Sequence, residues 1–284
     1  MPALYLAVLV SLVVAPPIAA ADQSGPAVDT AKLAQFMKDG RSPGTFKIPT
    51  EADMPLLLAA LAKEPTGPWV SRLTLVAAKA RFQLRSLQGK ARQDAAARTA
   101  HLLQEGELIL QAAIKSDPNR DALNDARQSL RQAQTPFLIE AGPANFPDVR
   151  AIAQDMLDRN KDTKSWNYGN IVYEGNVLLG RVALREGNVE KARACLRAAG
   201  QSPGSPQLGS FGPELVFARE VLEHGDKLDR EAVLGFLKDI EHFWANPIPG
   251  NANSQQVSAE HLKQLAVWRE EIQDGKIPNH PQWR

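Results

Sequence analysis

The chain has little cysteine and few aromatic residues, and each shortage excludes a class of protein. Cys195 is the only cysteine among 284 residues, so no disulfide can form within the chain. Aromatic residues make up 6% of the sequence, and they do not alternate with basic residues as they do in proteins that stack nucleic-acid bases. The formal net charge of +1 gives no global field that would attract a polyanion. We therefore expect no nucleic-acid partner.

Sequence signatures of catalysis and of cofactor binding are also missing. The histidines are spread along the chain, and no His-Glu-x-x-His pair occurs that would hold zinc. Neither a Gly-x-Ser-x-Gly elbow, a P-loop nor a dinucleotide fingerprint is present. Cys195 falls in the middle of an alanine-rich helix, which favours a small apolar role over a catalytic thiol. His224, beside Gly225, is expected to bind the carbonyls at a helix end. The sequence therefore predicts no catalytic residue, no cofactor and no metal site.

The first 21 residues have the pattern of a secretory signal peptide. Residues 3–15 form a continuous apolar run, which Pro16 and Pro17 end, and small residues at 19–21 would permit cleavage after Ala21. The run is shorter than the roughly 20 residues that cross a bilayer. We expect a periplasmic or secreted protein with no integral membrane segment after cleavage. Because no basic residue precedes the run, an uncleaved anchor or an incorrectly placed start is the alternative.

The rest of the chain is dominated by the helix-forming residues Ala, Leu, Arg, Glu and Gln. Residues 22–49 are poor in apolar side chains and predict a flexible leader with one short helix near 30–38. From 50 to 273, apolar residues recur every three or four positions, which predicts a series of helices in one domain. Residues 136–147 are expected to form a loop and residues 274–284 an irregular tail. The fold class predicted is all-α, with antiparallel helical hairpins.

Residues 169–199 form the clearest structural unit of the predicted domain. Two helical segments flank Gly187 and Asn188, which suit a helix end and the start of the next helix. Gly180 inside a helix costs about 1 kcal/mol relative to alanine, and close helix packing would offset that cost. Structural positions are predicted at Leu179, Gly180, Ala183, Gly187, Ala192, Leu196 and Ala199.

A weaker copy of this unit lies further along the sequence. Residues 212–244 repeat the order of large, small, apolar, glycine and large residues, but their turn is longer, so this unit is degenerate. The segment 200–213 between the two units is rich in Pro, Gly and Ser. It is expected to be a linker that Leu208 and Phe211 anchor to the core.

The order of residues in 169–199 resembles a tetratricopeptide repeat. That repeat has large and small residues on its first helix, a turn glycine, and alanine, a large apolar residue and alanine on its second. The segment 202–213 is similar to a stretch in uncharacterised bacterial proteins of the same type. The resemblance implies a short α-solenoid of stacked hairpins and a bacterial source, and it implies no catalytic residue.

In such a solenoid, the first helix of each hairpin lines the concave wall, where partners bind. Partner-binding positions are therefore predicted in the first helix of 169–199, at Asn170, Tyr173, Asn176, Val177 and Arg181. For Tyr173 and Val177, contact with the preceding hairpin is the alternative.

Between residues 69 and 104, seven basic residues accompany a single acid, Asp94. They are Arg72, Lys79, Arg81, Arg85, Lys90, Arg92 and Arg98. A strip that faces an anionic surface or an acidic partner is one interpretation. A dispersed, solvated rim is the favoured one, because Arg72 and Lys79 fall on a different side of the helical wheel from Arg81 and Arg85.

Two functions from different classes are compatible with these observations. The first is an exported, non-catalytic binding or scaffolding protein whose partner is a protein or peptide. The alternative is a cell-envelope enzyme or accessory subunit that acts on cell-wall glycan, with Trp244, Trp268 and Trp283 as candidates to stack on sugars.

Overall fold

The structure, a computed structural model, describes residues 28–41, 50–117, 121–159, 162–245 and 252–283. The predicted signal peptide at 1–21 lies outside the described residues, as do 22–27 and 42–49 of the leader. Within the described ranges there are twelve α-helices and no β-strand, which confirms the all-α prediction. The helices are α1 (Thr30–Arg41), α2 (Met54–Lys63), α3 (Trp69–Leu84), α4 (Gly89–Ser116), α5 (Asp121–Ala141), α6 (Phe146–Arg159), α7 (Tyr168–Arg185), α8 (Val189–Gly200), α9 (Pro206–Phe211), α10 (Val216–His224), α11 (Lys227–Asp239) and α12 (Ala252–Gln273).

The helices pack in chain order, each against the helices that come after it. Helix α3 contacts α4 and α5, α5 contacts α6 and α7, and α8 contacts α10 and α11. The two longest helices near the N-terminus, α4 and α5, are antiparallel, because Ala100 accepts a hydrogen bond from Gln134 while Glu107 accepts one from Arg127. This sequential stacking of helical pairs is compatible with a helical solenoid.

Helix α7 is shared by the two hydrophobic clusters that form the core. Ile171, Leu178 and Val182 pack into the cluster of the N-terminal half. Tyr173 and Ala183 pack into the cluster of the C-terminal half. Because α7 is buried on both sides, the two halves of the protein meet along it.

Helices α7 and α8 form an antiparallel hairpin over the 169–199 unit. Gly169 at the start of α7 lies against Gly204 beyond α8, whereas Gly180 in the middle of α7 lies against Cys195. A Cβ atom at Gly180 would lie 2.9 Å from Cβ of Cys195 and would overlap the ring of Phe217. Gly180 therefore lies where two other helices, α8 and α10, approach α7 closely.

The remaining positions of the 169–199 unit occupy the core or the turn. Gly187 has a φ of +78°, which suits glycine at a helix end, and the Asn188 side chain accepts a hydrogen bond from the backbone N–H of Lys191 at 3.1 Å. Leu179 is partly buried against the N-terminal cluster. The buried positions are Ala183, Ala192, Leu196 and Ala199.

The weaker unit, 212–244, is also a helical hairpin. Gly225 ends α10 with a φ of +95°, and Asp226 and Asp229 form a reciprocal capping box at the start of α11. Phe217 on α10 and Phe236 on α11 are buried in the C-terminal cluster. Only Gly225 and Asp226 lie between the two helices, so the prediction of a longer turn than in 169–199 is wrong, because the capping box starts α11 directly after Asp226.

Helix α5 continues through Pro136, where the sequence predicted a loop. Proline lacks the N–H that would bind the carbonyl of Gln132 four residues earlier. The hydroxyl of Thr135 donates to that carbonyl instead, at 2.8 Å. Phe137 is buried in the core beyond the proline. The helix therefore extends to Ala141 because the freed carbonyl is satisfied and the next turn is buried.

The described part of the tail is held to the core by its last residues. A short 3₁₀ turn covers Pro281–Trp283, and the Trp283 side chain is fully buried. The backbone N–H of Leu215 donates to the carbonyl of Gln282 at 2.7 Å. The tail thereby forms part of the wall beside α10.

Candidate functional site

A groove runs over α7, between α3 and α5 on one side and α9 and α10 on the other. It has two adjacent lobes, which share Arg81 and Arg181. The arginine lobe has a volume of about 1050 Å³ and the mixed lobe about 560 Å³. The arginine lobe is lined by Arg81, Arg85, Arg92, Arg181, Arg185 and Arg219. The mixed lobe is lined by Ala77, Tyr173, Glu174, Val177, Phe211 and Glu214, among others.

The arginines come from both halves of the chain. Arg81 is in the last turn of α3, Arg85 caps that helix four residues later, and Arg92 is in the first turns of α4. Arg81 and Arg85 share one side of α3, and the chain reverses after that helix, so Arg92 of α4 lines the same lobe. The favoured interpretation of a dispersed rim is therefore wrong for these three arginines, although it describes the exposed residues Lys90 and Arg98.

The arginine lobe carries an excess of positive charge. Its six arginines face the carboxylates of Glu140, Glu220 and Glu223, and Arg81 also contacts Glu214 of the mixed lobe, which leaves two positive charges without a counterpart. A concave surface of one sign focuses the electrostatic field and attracts ions of the opposite sign. The net charge of +1 for the whole chain does not reveal this local excess.

A buried ion-pair network joins four helices, α4, α5, α7 and α10, beneath the arginine lobe. Glu140 on α5 accepts hydrogen bonds from Arg92 at 2.7 Å and from Arg181 at 2.8 Å. Arg181 on α7 also donates to both carboxylate oxygens of Glu220 on α10, at 2.8 and 2.6 Å. Arg185 donates to Glu220 at 2.9 Å. The network ties the N-terminal half of the protein to the C-terminal half.

The network shifts the pKa of its buried carboxyl groups. Burial by itself would raise the pKa of Glu140, but the hydrogen bond from Arg92 and the charges of Arg181, Arg92 and Arg185 lower it to about 2. Burial also acts to raise the pKa of Glu220, and Arg181 and Arg185 outweigh it and hold that pKa below its usual range. Both carboxylates therefore stay ionised in the folded protein at neutral pH.

We expect the network to make the protein acid-sensitive between about pH 4.5 and pH 2. The folded pKa of Glu140 lies below its ordinary value of 4.5, so its contribution to stability is complete above pH 4.5 and is lost as pH falls toward about 2. Urea unfolding should show that Glu140→Gln removes on the order of 2–3 kcal/mol of this pH dependence. Glu223→Gln is the control, because that half-exposed carboxylate pairs only with Arg219 among the described residues. Equal pH profiles for wild type and Glu140→Gln would contradict the assignment.

A second, exposed ion pair crosses the groove where the two lobes meet. The guanidinium of Arg81 on α3 contacts the carboxylate of Glu214, which precedes α10, and Arg85 lies 3.8 Å from the same carboxylate. These side chains are about two-fifths exposed. Exposed pairs of this kind contribute about 0–1 kcal/mol. The contact can therefore open at little cost.

Four of the five predicted partner-binding residues line the groove. Asn170, Tyr173 and Val177 line the mixed lobe, and Arg181 lines both lobes. Asn176 is not in the lining of either lobe, and its side-chain amide donates to the carbonyl of Val172 in its own helix.

Tyr173 contacts the hairpin that comes after it in the chain. Its hydroxyl donates to the carbonyl of Glu214 at 2.7 Å, and its ring lies 6.5 Å from that of Phe236. Burial raises the pKa of the Tyr173 phenol well above its ordinary value, and the charges of Glu214 and Glu174 raise it further. The phenol therefore remains a hydrogen-bond donor at the groove wall.

Two exposed phenylalanines lie at the groove, and neither was predicted there from the sequence. Phe82 is 72% exposed beside the arginine lobe, and Phe211 is 78% exposed beside the mixed lobe. The prediction that Phe211 anchors the linker to the core is wrong, whereas Leu208 is buried. Gln282 and Trp244 fill the space beside Gly212, the residue that follows Phe211. Exposure depends on distant residues, so the local pattern carried no signal for it.

His224, Asp226 and Asp229 are the one group within the described ranges whose spacing would suit a metal ion. His224 Nδ1 lies 2.6 Å from Asp229, so the prediction that this histidine binds helix-end carbonyls is wrong. Arg193 donates to Asp229 at 2.7 Å and to Asp226 at 2.5 Å. The carboxylates are therefore already used by an arginine and by the capping box of α11.

The three tryptophans that suggested a glycan-binding surface are buried. Trp244, Trp268 and Trp283 are each less than 5% exposed. Trp268 and Trp283 pack edge to face, and Trp244 stacks on His261. Their rings are therefore part of the C-terminal core and are not available to stack on sugars.

Comparisons with protein-family models, with curated proteins and with solved structures find no match to this chain. Among the helices that the structure describes, none has both the length and the apolar content needed to cross a membrane.

Proposed function

We propose that this chain is an exported, non-catalytic binding protein whose groove over α7 receives an extended segment of a partner protein. The observation that carries the proposal is the groove itself, which α3 and α5 flank on one side and α9 and α10 on the other. Its lining combines arginines, half-buried apolar residues and exposed aromatic rings, a mixture that suits a peptide chain.

The proposed class is a solenoid of tetratricopeptide type. Support comes from the hairpin of α7 and α8, with its turn at Gly187 and its close helix approach at Gly180. The first helix of that hairpin provides groove-lining residues, as expected for the concave side of stacked hairpins. Export to the periplasm or the medium is proposed from the signal-peptide pattern of residues 1–21.

The glycan-acting alternative has less support. Its motivation was a set of exposed tryptophans, and Trp244, Trp268 and Trp283 lie in the core. Trp166 is 66% exposed but does not line either lobe of the groove. The exposed rings at the groove belong to Phe82 and Phe211, so the tryptophans that motivated this alternative do not contribute to that surface.

Site-specific photo-crosslinking in the native envelope fraction tests whether the groove is the binding surface. A photoreactive phenylalanine derivative placed at Phe82 or Phe211 keeps an aromatic ring at an exposed position beside the groove. We expect both positions to yield an adduct with the same partner protein, because a bound segment would lie within reach of both rings.

Matched control positions lie elsewhere on the surface. Leu108 on α4 and Leu228 on α11 are each 56% exposed and line neither lobe. The same derivative at these positions is expected to give no such adduct. An identical adduct pattern at all four positions, or no adduct at Phe82 and Phe211, would contradict the proposed function.

A further inference from the structure

We infer that the groove selects an acidic segment of its partner, whose carboxylates bind the arginine lobe and displace Glu214 from Arg81 and Arg85. This inference rests on the proposed function, since it requires that the groove be a binding site. It adds the chemical class of the ligand. Three features support it: the accessible arginines, the exposed pair at the boundary between the lobes, and the contrast between the two lobes.

Four arginines of the lobe are accessible to a ligand. Arg81, Arg85, Arg185 and Arg219 have side chains between 37% and 44% exposed, whereas the side chain of Arg181 is 8% exposed. Arg181 donates hydrogen bonds to Glu140 and Glu220, so its role is to stabilise the fold. The planar guanidinium fork of arginine matches a carboxylate in two parallel hydrogen bonds. The accessible arginines can therefore bind further carboxylates from outside.

Glu214 already occupies the position that a ligand carboxylate would take. It contacts Arg81 and lies 3.8 Å from Arg85, and its own side chain is 46% exposed. Since such a pair is only weakly stabilising, a ligand with several carboxylates can replace it. Glu214 is thus an internal competitor for the groove, and removing its charge should strengthen ligand binding.

The mixed lobe selects the residues next to the acidic end of the ligand. Its own charged residues are the acids Glu174 and Glu214, which the two arginines shared with the arginine lobe balance. Its apolar lining includes Ala77, Val177 and Phe211. A segment with acidic residues at one end and apolar residues at the other fits both lobes.

Other anionic partners fit the groove less well. A nucleic-acid strand would need positive charge along its whole length and bases stacked on aromatic rings, and the mixed lobe has no net charge. A bilayer surface is too flat to enter a concave groove whose arginines are more than half buried. A peptide can enter both lobes, because its side chains vary from one residue to the next.

Fluorescence anisotropy with a defined peptide tests this inference. The probe is a fluorescein-labelled peptide of six glutamates and then three leucines, and the reference replaces every glutamate by glutamine. We expect the full-length protein to bind the glutamate probe at least about tenfold more tightly at low salt. Affinity should fall as salt rises, because partly exposed charges are screened.

Substitutions with opposite expected effects on affinity distinguish binding of an acidic segment from non-specific binding. Arg81→Gln combined with Arg85→Gln should weaken binding of the glutamate probe about tenfold, and Glu214→Gln should strengthen it about threefold. Arg98→Gln removes an exposed arginine outside the groove and should leave the affinity unchanged. Thermal melts confirm folding, which these exposed substitutions are expected to preserve.

Each contrary outcome has a distinct meaning. Equal binding of the glutamate and glutamine probes, or weaker binding by Glu214→Gln, would overturn the acidic-segment inference. Tighter binding of polyphosphate, of a sulfated glycan or of phosphatidylglycerol vesicles than of the glutamate probe would also overturn it. If crosslinks at Phe82 and Phe211 persist but map to a neutral or basic segment, only the inference fails. If those crosslinks are absent, the proposed function fails with it.

Discussion

Gly169→Ala is expected to lower the free energy of unfolding by about 3 kcal/mol, because it forces two backbone segments apart. A methyl group at Gly169 would overlap the carbonyl group of Gly204. Backbone atoms cannot rotate away as a side chain can. The carbonyl of Gly169 also accepts a hydrogen bond from Ser202 at 2.6 Å, which fixes the two segments together. Chemical denaturation monitored by circular dichroism measures the change.

Gly235→Ala is the matched control for this prediction. Gly235 lies inside α11, and a Cβ atom there would meet nothing within 4 Å. Alanine is favoured over glycine in a helix interior by about 1 kcal/mol, so this substitution should stabilise the protein. The same glycine-to-alanine substitution is thus expected to lower the free energy of unfolding at Gly169 and to raise it at Gly235. A loss at Gly235→Ala as large as that at Gly169→Ala would show that the contact with Gly204 is not the cause.

Arg181→Met is expected to lower the free energy of unfolding by about 3–5 kcal/mol. Arg181 is 7% exposed and donates to both Glu140 and Glu220. Removing it leaves two buried carboxylates with fewer partners, and breaking a buried ion pair costs far more than an exposed pair contributes. Because the two carboxylates belong to α5 and α10, the two halves of the protein should separate more readily. Urea titration at about pH 7 measures the loss.

Arg185→Met distinguishes a buried network from a general charge effect. Arg185 contacts the same two carboxylates, but its side chain is 39% exposed. Its removal should cost less than about 1 kcal/mol. The loss of unfolding free energy caused by Arg181→Met should also shrink as pH falls toward about 3, since a protonated carboxyl group is neutral and has no charge for the arginine to balance. If this loss of unfolding free energy stays constant from about pH 7 to about pH 3, the cause is lost packing and not the lost charge.

The helical elements were largely predictable because their signals are local. Asn188 caps α8 with a side chain that reaches three residues along the chain, and Gly187 suits the left-handed backbone before it. Gly180 was expected at a close helix approach because glycine is unfavourable inside a helix. The course of α5 beyond Pro136 was not predicted, since it depends on the Thr135 hydroxyl and on burial of the next turn.

The candidate site was predictable only in part. Asn170, Tyr173, Val177 and Arg181 line the groove because they belong to the first helix of their hairpin. Asn176 was assigned to the same wall, but its side chain bonds to its own helix. Errors of this kind come from helix phase, which a single sequence sets only approximately.

The exposure of aromatic residues could not be read from the sequence. Phe211 was assigned to the core and is exposed, while Trp283 was a candidate surface residue and is fully buried. A buried aromatic residue and an exposed one can have the same kinds of neighbours in the sequence. Its burial depends on which distant helices cover it.

By itself, the amino-acid sequence determined that this chain is helical and where several helices end, because those properties depend on residues within one or two turns of each other. The tertiary structure alone decided that Arg92, Glu140, Arg181 and Glu220 form one network beneath a groove. In the chain, 41 positions separate Glu140 from Arg181 and 39 separate Arg181 from Glu220. Contacts at such separations arise from how the helices stack around α7, which no local pattern of residues encodes.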